Sequence, residues 1–313
     1  MMTTMRCIFF VLLGLALVAA NHELNMGMTT VHIGDSGEME FVRQMNGSEE
    51  AHPVKISMDE IVQVDKDGNA LTECAEPTDL TQPGTDWTKS TAKTSMMTNM
   101  KTFHDFGNQK FDFGEEKHSS SMPHGGDMMA STQRFSASLP DGIGKMAIDM
   151  ALPEEDGEID VGGEKHRLRK GDMKFNIEMS EWMWCDNAAF VDVYIKVSGR
   201  HAAEQKHARD SSVPAAYDLG DNVTVSFSGK FLIDAGAWDD MAEGFPKVDP
   251  SDTTRFIVRF PRFNGTLVYD PTVAGDDDST AEDGVGGDSG ASGLSVPAIL
   301  ITMATSAICA MLK

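Results

Sequence analysis

The chain has 313 residues, of which 49 are acidic and 26 basic, so its formal net charge at neutral pH is −23. An excess of negative charge this large repels nucleic acids and anionic lipids, which excludes nucleic-acid binding, and it attracts divalent cations such as calcium. The sequence contains no nucleophile elbow, paired-histidine zinc motif or glycine-rich phosphate loop, so we predict that the protein is not an enzyme.

The first twenty residues are typical of a secretory signal peptide. Arg6 precedes an apolar run that ends at Val18, and small Ala20 stands immediately before polar Asn21. The run is shorter than the ~20 apolar residues that a membrane span needs. We therefore predict cleavage after Ala20, with an N-terminal membrane anchor as the alternative.

The stretch VDKDGNALTECAE (64–76) has oxygen side chains at positions one, three, five and twelve of an EF-hand calcium loop. Such a loop needs glycine at position six, where this chain has Ala70, and it needs helices on both sides. The preceding residues 61–64 have the β-branched character of a strand instead. Asp67-Gly68 therefore predicts a hairpin turn between residues 61–64 and the segment around Leu71.

The next part of the chain has little hydrophobic periodicity. Residues 76–101 are rich in Thr and Ser, and we expect an extended connector there. His104, His118, His124 and Asp127 follow, and these residue types bind zinc or copper. Their spacing matches no ligand pattern, so we interpret this region as a solvated loop. A metal-dependent β enzyme that uses these histidines is the least favoured hypothesis.

Alternation of apolar and polar residues predicts β-strands along most of residues 21–271, which we expect to form the extracellular domain. The period of two recurs in segments 38–42, 145–150, 173–179, 191–197, 223–227 and 256–260. Strict alternation indicates strands with one buried face, and Gly, Pro, Asn and Asp separate them at turn-like spacing. We therefore predict an all-β fold, an antiparallel β-sandwich, with a short helix at 202–209.

Two acidic runs are candidate binding sites. One joins two predicted strands, and the other begins a Gly/Ser/Asp-rich segment. Such runs are usually solvated loops, but flexible carboxylates also bind Ca²⁺ at about 10⁻⁴–10⁻³ M, the range of extracellular sites. The weak calcium or mineral-binding residues that we predict are Glu154, Glu155, Asp156, Glu158, Asp160, Asp276, Asp277 and Asp278.

The cysteines and sequons agree with secretion. Removal of both ends leaves Cys74 and Cys185, which we predict to form a disulfide in an oxidising compartment, two free buried thiols being the alternative. Asn46, Asn222 and Asn264 begin Asn-X-Ser/Thr sequons, so we expect at least one surface glycan.

The C-terminal region is typical of a lipid-attachment signal. Residues 272–293 should form a flexible acidic stalk, and residues 294–313 are a tail of mainly apolar and small residues. Small residues, a polar spacer and an apolar tail constitute a GPI signal, for which we predict attachment at Ser289. A retained membrane helix is the alternative. The two ends contain basic Arg6 and Lys313 and no acid, so their removal makes the chain still more negative.

Four segments of the second half carry a family resemblance: GDMKFNIEMSEWMWC (171–185), FVDVYIKVSGR (190–200), YDLGDNVTVSFSG (217–229) and FIVRFPRFNGTLVYDP (256–271). They resemble the acidic skeletal organic matrix proteins of stony corals and the related skeletal aspartic acid-rich proteins. Those proteins are secreted components of the calcified skeleton, so the resemblance implies binding to calcium or to carbonate surfaces. This chain departs from the aspartate-rich relatives, which have long poly-Asp insertions, because it has only Asp276–Asp278.

We therefore expect a secreted acidic glycoprotein of the extracellular or skeletal organic matrix, with no tightly bound cofactor and loosely bound calcium. Its expected partners are calcium ions or a carbonate mineral surface, other matrix proteins, and a membrane through the C-terminal anchor. A GPI-anchored adhesion or receptor-type module at the cell surface, with no mineral role, is the alternative.

Overall fold

The structure is a computed structural model that describes residues 22–44, 53–75, 90–122, 126–199, 202–207, 214–220 and 223–275. Contacts divide the chain into two units, Met1–Asp277 and Asp278–Lys313, and every described residue lies in the first. Several predictions fall outside the described residues: the signal peptide, the sequons at Asn46 and Asn222, Asp276–Asp278, Ser289 and the apolar tail. Within the described ranges, no helix has the length and apolar character needed to cross a membrane.

The described regular elements are mainly strands. The first nine strands are β1 (His22–Met26), β2 (Thr29–Ile33), β3 (Met39–Arg43), β4 (Val54–Val64), β5 (Thr102–Phe103), β6 (Asp112–Phe113), β7 (Lys117–Ser119), β8 (Ala130–Ser138) and β9 (Lys145–Pro153). The others are β10 (Gly157–Val161), β11 (Glu164–Leu168), β12 (Met173–Ser180), β13 (Phe190–Ser198), β14 (Glu204–His207), β15 (Ala215–Asp218), β16 (Val223–Phe227), β17 (Lys230–Ile233), β18 (Trp238–Asp240), β19 (Lys247–Asp249), β20 (Asp252–Pro261), β21 (Leu267–Tyr269) and β22 (Thr272–Gly275). The helices are α1 (Ser90–Lys101) and two single 3₁₀ turns, Phe106–Asn108 and Pro140–Gly142.

The strands form two large antiparallel sheets and one hairpin. Sheet A has the order β1-β2-β3-β4-β13-β20-β19, with β5 beside β4. Sheet B has the order β14-β15-β16-β22-β12-β21-β17-β18, and it continues from β12 through β9 and β8 to β6 and β7. β10 and β11 pair only with each other among the described strands. The predicted all-β, antiparallel class is confirmed.

Sheets A and B pack face to face across one apolar core. Phe260 of β20 lies 5.3 Å from Tyr269 of β21, measured between ring centroids, and Phe256 of β20 lies 4.5 Å from Phe227 of β16. These contacts join the two sheets because β20 belongs to sheet A and the other two strands to sheet B. The alternating pattern produces this packing, since every second side chain of a strand points to the same face.

A second apolar cluster covers the opposite face of sheet B. It contains Ile159, Val161 and Leu168 of the β10–β11 hairpin, together with Ala151 of β9. As a result β12 is buried on both faces, and Lys174 and Asn176 are 0% and 1% exposed. The prediction of a single buried face is therefore wrong for this strand.

Other local predictions are also corrected. Residues 90–101 form α1 and not an extended connector, because Met96 and Met100, one turn apart, pack into the main core. Residues 204–207 form strand β14 and not a helix, because they pair with β15. Pairing with a neighbouring strand outweighs weak local propensity at such positions. β22 begins at Thr272, so the sheet includes residues that we assigned to the stalk.

Candidate functional site

The turn after β4 is a hairpin turn, as predicted. Val64 and Ala70 form an isolated antiparallel bridge across it, and Gly68 adopts a positive φ of 82°. Asp65 Oδ1 accepts hydrogen bonds from the backbone N–H groups of Asp67 (2.8 Å) and Asn69 (2.9 Å). The backbone hydrogen bond from Asn69 is the main cause of a lowered pKa at Asp65. This carboxylate stabilises the turn, and the strand β4 precedes the turn where an EF-hand has a helix.

The second half of the acidic run 154–160 lies on β10, where basic residues compensate it. Glu158 and Asp160 are exposed on β10, and their cross-strand partners on β11 are Arg167 and Lys165. Lys165 Nζ is 2.7 Å from Glu158 Oε1. Asp160 Oδ1 accepts the N–H of Gly163 at 2.6 Å. Because opposite charges face each other here, these two carboxylates are weaker calcium candidates than the ones that precede them.

The first half of the run lies in the turn between β9 and β10, and two further acids precede β7. Glu154 Oε1 is 3.0 Å from His118 Nδ1, which places β7 beside the entry to β10. Glu115 and Glu116 precede β7 and are exposed, and Glu155 is exposed beyond β9. We call Glu115, Glu116, Glu154, Glu155 and Asp156 the acidic rim. In the described structure, Glu115, Glu116 and Glu155 make no side-chain hydrogen bond or ion pair, so their charges face solvent.

A further carboxylate cluster surrounds Arg255 of β20, and the sequence did not predict it. The guanidinium Nε is 3.2 Å from Asp59 Oδ2 and 3.4 Å from Asp249 Oδ2, and Nη2 is 3.0 Å from Glu60 Oε2. Asp59 and Glu60 lie on β4, far from Arg255 along the chain, and Asp249 lies on β19, the strand that pairs with β20. No local pattern joins them, because the long-range strand pairing creates the cluster. The arginine occupies the centre, so the cluster is an ion-pair network of sheet A.

The described histidines of the loop region, His104 and His118, do not form a metal centre. His118 Nδ1 contacts Glu154 and also lies 3.1 Å from Ser131 Oγ. His104 and Asp127 are exposed, and His124 lies outside the described residues. Within the described ranges, no group of three or more His, Cys, Asp or Glu side chains could hold a metal ion. Any calcium at the described surface would therefore meet separate carboxylates and not a cage.

Cys74 and Cys185 form a disulfide, as predicted, with their Cα atoms 5.1 Å apart. Next to it, the fully buried side chain of Gln63 makes three hydrogen bonds to backbone groups. Its Nε2 donates to the carbonyls of Met100 (2.7 Å) and Met183 (2.8 Å), and its Oε1 accepts the N–H of Cys185 (2.9 Å). Gln63 and the disulfide together join β4, α1 and the segment before β13.

Of the three sequons, the one at Asn264 lies within the described residues, and it is on the surface. Asn264 is exposed in the turn between β20 and β21. Glycosylation needs an accessible asparagine, so this position is compatible with a glycan. Whether a sugar is attached stays a prediction.

The model of the family described as acidic skeletal organic matrix protein matches residues 48–194 and 195–310. The two matched segments include sheet B, the strands of sheet A from β4 onward, the disulfide and the acidic rim.

Proposed function

The chain belongs to the acidic skeletal organic matrix protein family, and from this membership we propose that it gathers calcium ions at the surface of a carbonate biomineral. The family is one of matrix proteins and not of enzymes, and a skeletal organic matrix is extracellular. In this proposal the protein is a structural and binding component of that matrix.

The acidic rim is the observation that carries the proposal. Glu115, Glu116 and Glu155 are exposed, and their carboxylates are not used by any ion pair or turn in the described structure. Oxygen ligands of this kind suit Ca²⁺, and separate carboxylates bind it weakly. Weak, multiple sites fit a protein that coats a surface, because each contact can form and break while the whole protein stays attached.

The folded scaffold determines how the rim is presented. The rim residues lie before β7 and between β9 and β10, and apolar side chains of β9 and β10 pack into the second cluster. A disulfide cross-links the same domain elsewhere. We propose that this domain is secreted after cleavage at Ala20, carries glycans at its sequons and is tethered through Ser289.

Removal of the unpaired rim charges tests the proposal. The variant Glu115→Gln/Glu116→Gln/Glu155→Gln should adsorb to calcite at millimolar calcium on the order of tenfold more weakly than the wild type. Each of the three exposed charge contacts should contribute about 0.5 kcal/mol, and their sum corresponds to roughly a tenfold change in the adsorption constant. Adsorption isotherms with purified protein and washed calcite powder give the constants.

A matched control removes the same number of charges at exposed, separate positions: Glu73→Gln/Glu204→Gln/Asp239→Asn. If this control weakens adsorption as much as the rim variant does, net charge and not the rim determines binding. If the wild type shows no calcium-dependent adsorption, the mineral role is refuted. The adhesion or receptor module then remains.

A further inference from the structure

Sheet B contains a buried lysine and a buried aspartate in direct contact. Lys174 lies on β12, and Asp270 immediately follows β21. Their side chains are buried, with exposed fractions of 1% for Lys174 and 0% for Asp270. Lys174 Nζ is 3.2 Å from Asp270 Oδ2. The amine also donates a hydrogen bond to the side-chain carbonyl of Asn176. Lysine is among the residues most rarely buried in proteins, so its position here requires an explanation.

The pair is shielded from water by the β10–β11 hairpin. Lys174 is the direct cross-strand partner of Ala151, so both side chains point to the same face of sheet B. Ala151 packs with Ile159 and Leu168 of the hairpin.

A buried carboxylate fastens this hairpin to sheet B. Glu164 Oε2 accepts a hydrogen bond from Ser228 Oγ at 2.8 Å, and its Oε1 accepts the N–H of Gly229 at 3.1 Å. The hairpin is thus held on the face of sheet B that carries Lys174, and the side chains of Lys174 and Asp270 are both removed from solvent.

Burial changes the chemistry of this pair. Removal from water lowers the pKa of Lys174, although the carboxylates of Asp270 and Asp149 oppose that change. In a dry site a proton moves readily from the ammonium to the carboxylate, since the neutral pair needs no solvation. A neutral amine beside a protonated carboxyl group is the reactant pair of amide formation.

We propose that Lys174 and Asp270 join in an intramolecular amide bond. The lone pair of the Lys174 amine attacks Cγ of the protonated Asp270 carboxyl group, and the new C–N bond replaces the C–O bond to the hydroxyl. The hydroxyl leaves with one amine hydrogen as water, so no oxidant, reductant or further reactant is needed. Asn176 acts as a positioning residue, because its carbonyl holds the amine.

The fold favours this step in two ways. Fixed reacting groups reach effective concentrations of about 10⁵–10⁸ M in well-oriented intramolecular reactions. The exclusion of water also removes the reactant that would reverse the bond.

The bond would add a second covalent link to the domain. Asp270 stands between β21 and β22, and both of these strands pair with β12. An amide from β12 to this junction therefore clamps the last strand of the described domain to the middle of sheet B. The disulfide links Cys74, after β4, to Cys185, before β13, so the two bonds stabilise different parts of the sandwich.

Mass spectrometry of the mature, enzymatically deglycosylated protein tests the proposal, with the mass calculated for the mature chain as the reference. The intact mass should be lower than that of the disulfide-bonded sequence by one water molecule. A tryptic digest should contain a branched peptide that joins Lys174 to Asp270. The exposed pair Lys165–Glu158, whose atoms are 2.7 Å apart, is an internal control that should remain unlinked in the same digest.

An intact mass with no loss, or a loss of ammonia with Lys174 joined to Asn176, would refute the assigned bond. The variant Lys174→Met/Asp270→Leu removes both buried charges together and should show the full sequence mass. A loss of one water in that variant would place the linkage elsewhere and would also contradict the proposal.

Discussion

Replacement of Gln63 by methionine should lower the free energy of unfolding by about 3–5 kcal/mol. The side chain is 0% exposed and makes three hydrogen bonds, two to carbonyls and one to an N–H group, at 2.7–2.9 Å. Methionine has a similar volume, so the change creates little cavity and mainly leaves three backbone groups buried without partners. Each such group costs about 1–3 kcal/mol, and some relaxation reduces the sum.

The measurement is denaturant unfolding of the wild type and the variant with the disulfide intact. If the two proteins have the same m-value, the shift in midpoint gives the difference in the free energy of unfolding. Gln44→Met is the matched control, because Gln44 is exposed and should tolerate the change within about 0.5 kcal/mol. A loss below about 1 kcal/mol at Gln63, similar to that of the control, would show that these three hydrogen bonds do not stabilise the junction of β4, α1 and the disulfide segment.

Three other predictions concern stability. Serine at both Cys74 and Cys185 should lower the free energy of unfolding by up to about 5 kcal/mol, because the cross-link closes a loop with a separation of 111 residues; an unchanged Tm would contradict this. Burial raises the pKa of Glu164, but hydrogen bonds to the carboxylate outweigh that effect and hold the pKa below its ordinary value of 4.5. The stability that Glu164 contributes is therefore present above pH 4.5 and is lost as the pH falls through the folded-state pKa. Glu164→Gln should lower the free energy of unfolding at neutral pH and make it depend less on pH in the acid range. Equal slopes of unfolding free energy against pH in wild type and variant would refute this. Asp192→Asn should cost about 3–5 kcal/mol in denaturant unfolding, because the Arg259 guanidinium loses the carboxylate that it contacts through two nitrogens at 2.6 Å; a cost near zero would mean that water replaces that carboxylate.

The turns and strands were predictable wherever one local rule determined the outcome. Asp67-Gly68 predicts the hairpin turn, because glycine accepts the positive φ that the turn requires. Alternation predicts the segments at 173–179 and 256–260, because one face of each strand meets the core. The same rule misplaces Lys174, since it assumes that polar side chains point to solvent.

The remaining errors come from tertiary contacts that no short segment encodes. Met96 and Met100 are the deeply buried residues in the part of α1 whose side chains the structure describes, and Ser, Thr and Lys are frequent in its sequence, so its helical period is too weak to read. The ion-pair network around Arg255 draws its acids from separate strands, and only the order of sheet A brings them together. The acidic rim was half predicted: Glu154, Glu155 and Asp156 form one run, but Glu115 and Glu116 join them only through β7.

Calcium binding by this surface can be measured by calorimetric titration of the purified, deglycosylated protein with calcium at low and at physiological ionic strength. We predict several weak sites with Kd of about 10⁻⁴–10⁻³ M that weaken further as salt screens the exposed carboxylates. A single tight, salt-insensitive site would contradict this prediction, and so would the absence of any calcium binding in the millimolar range.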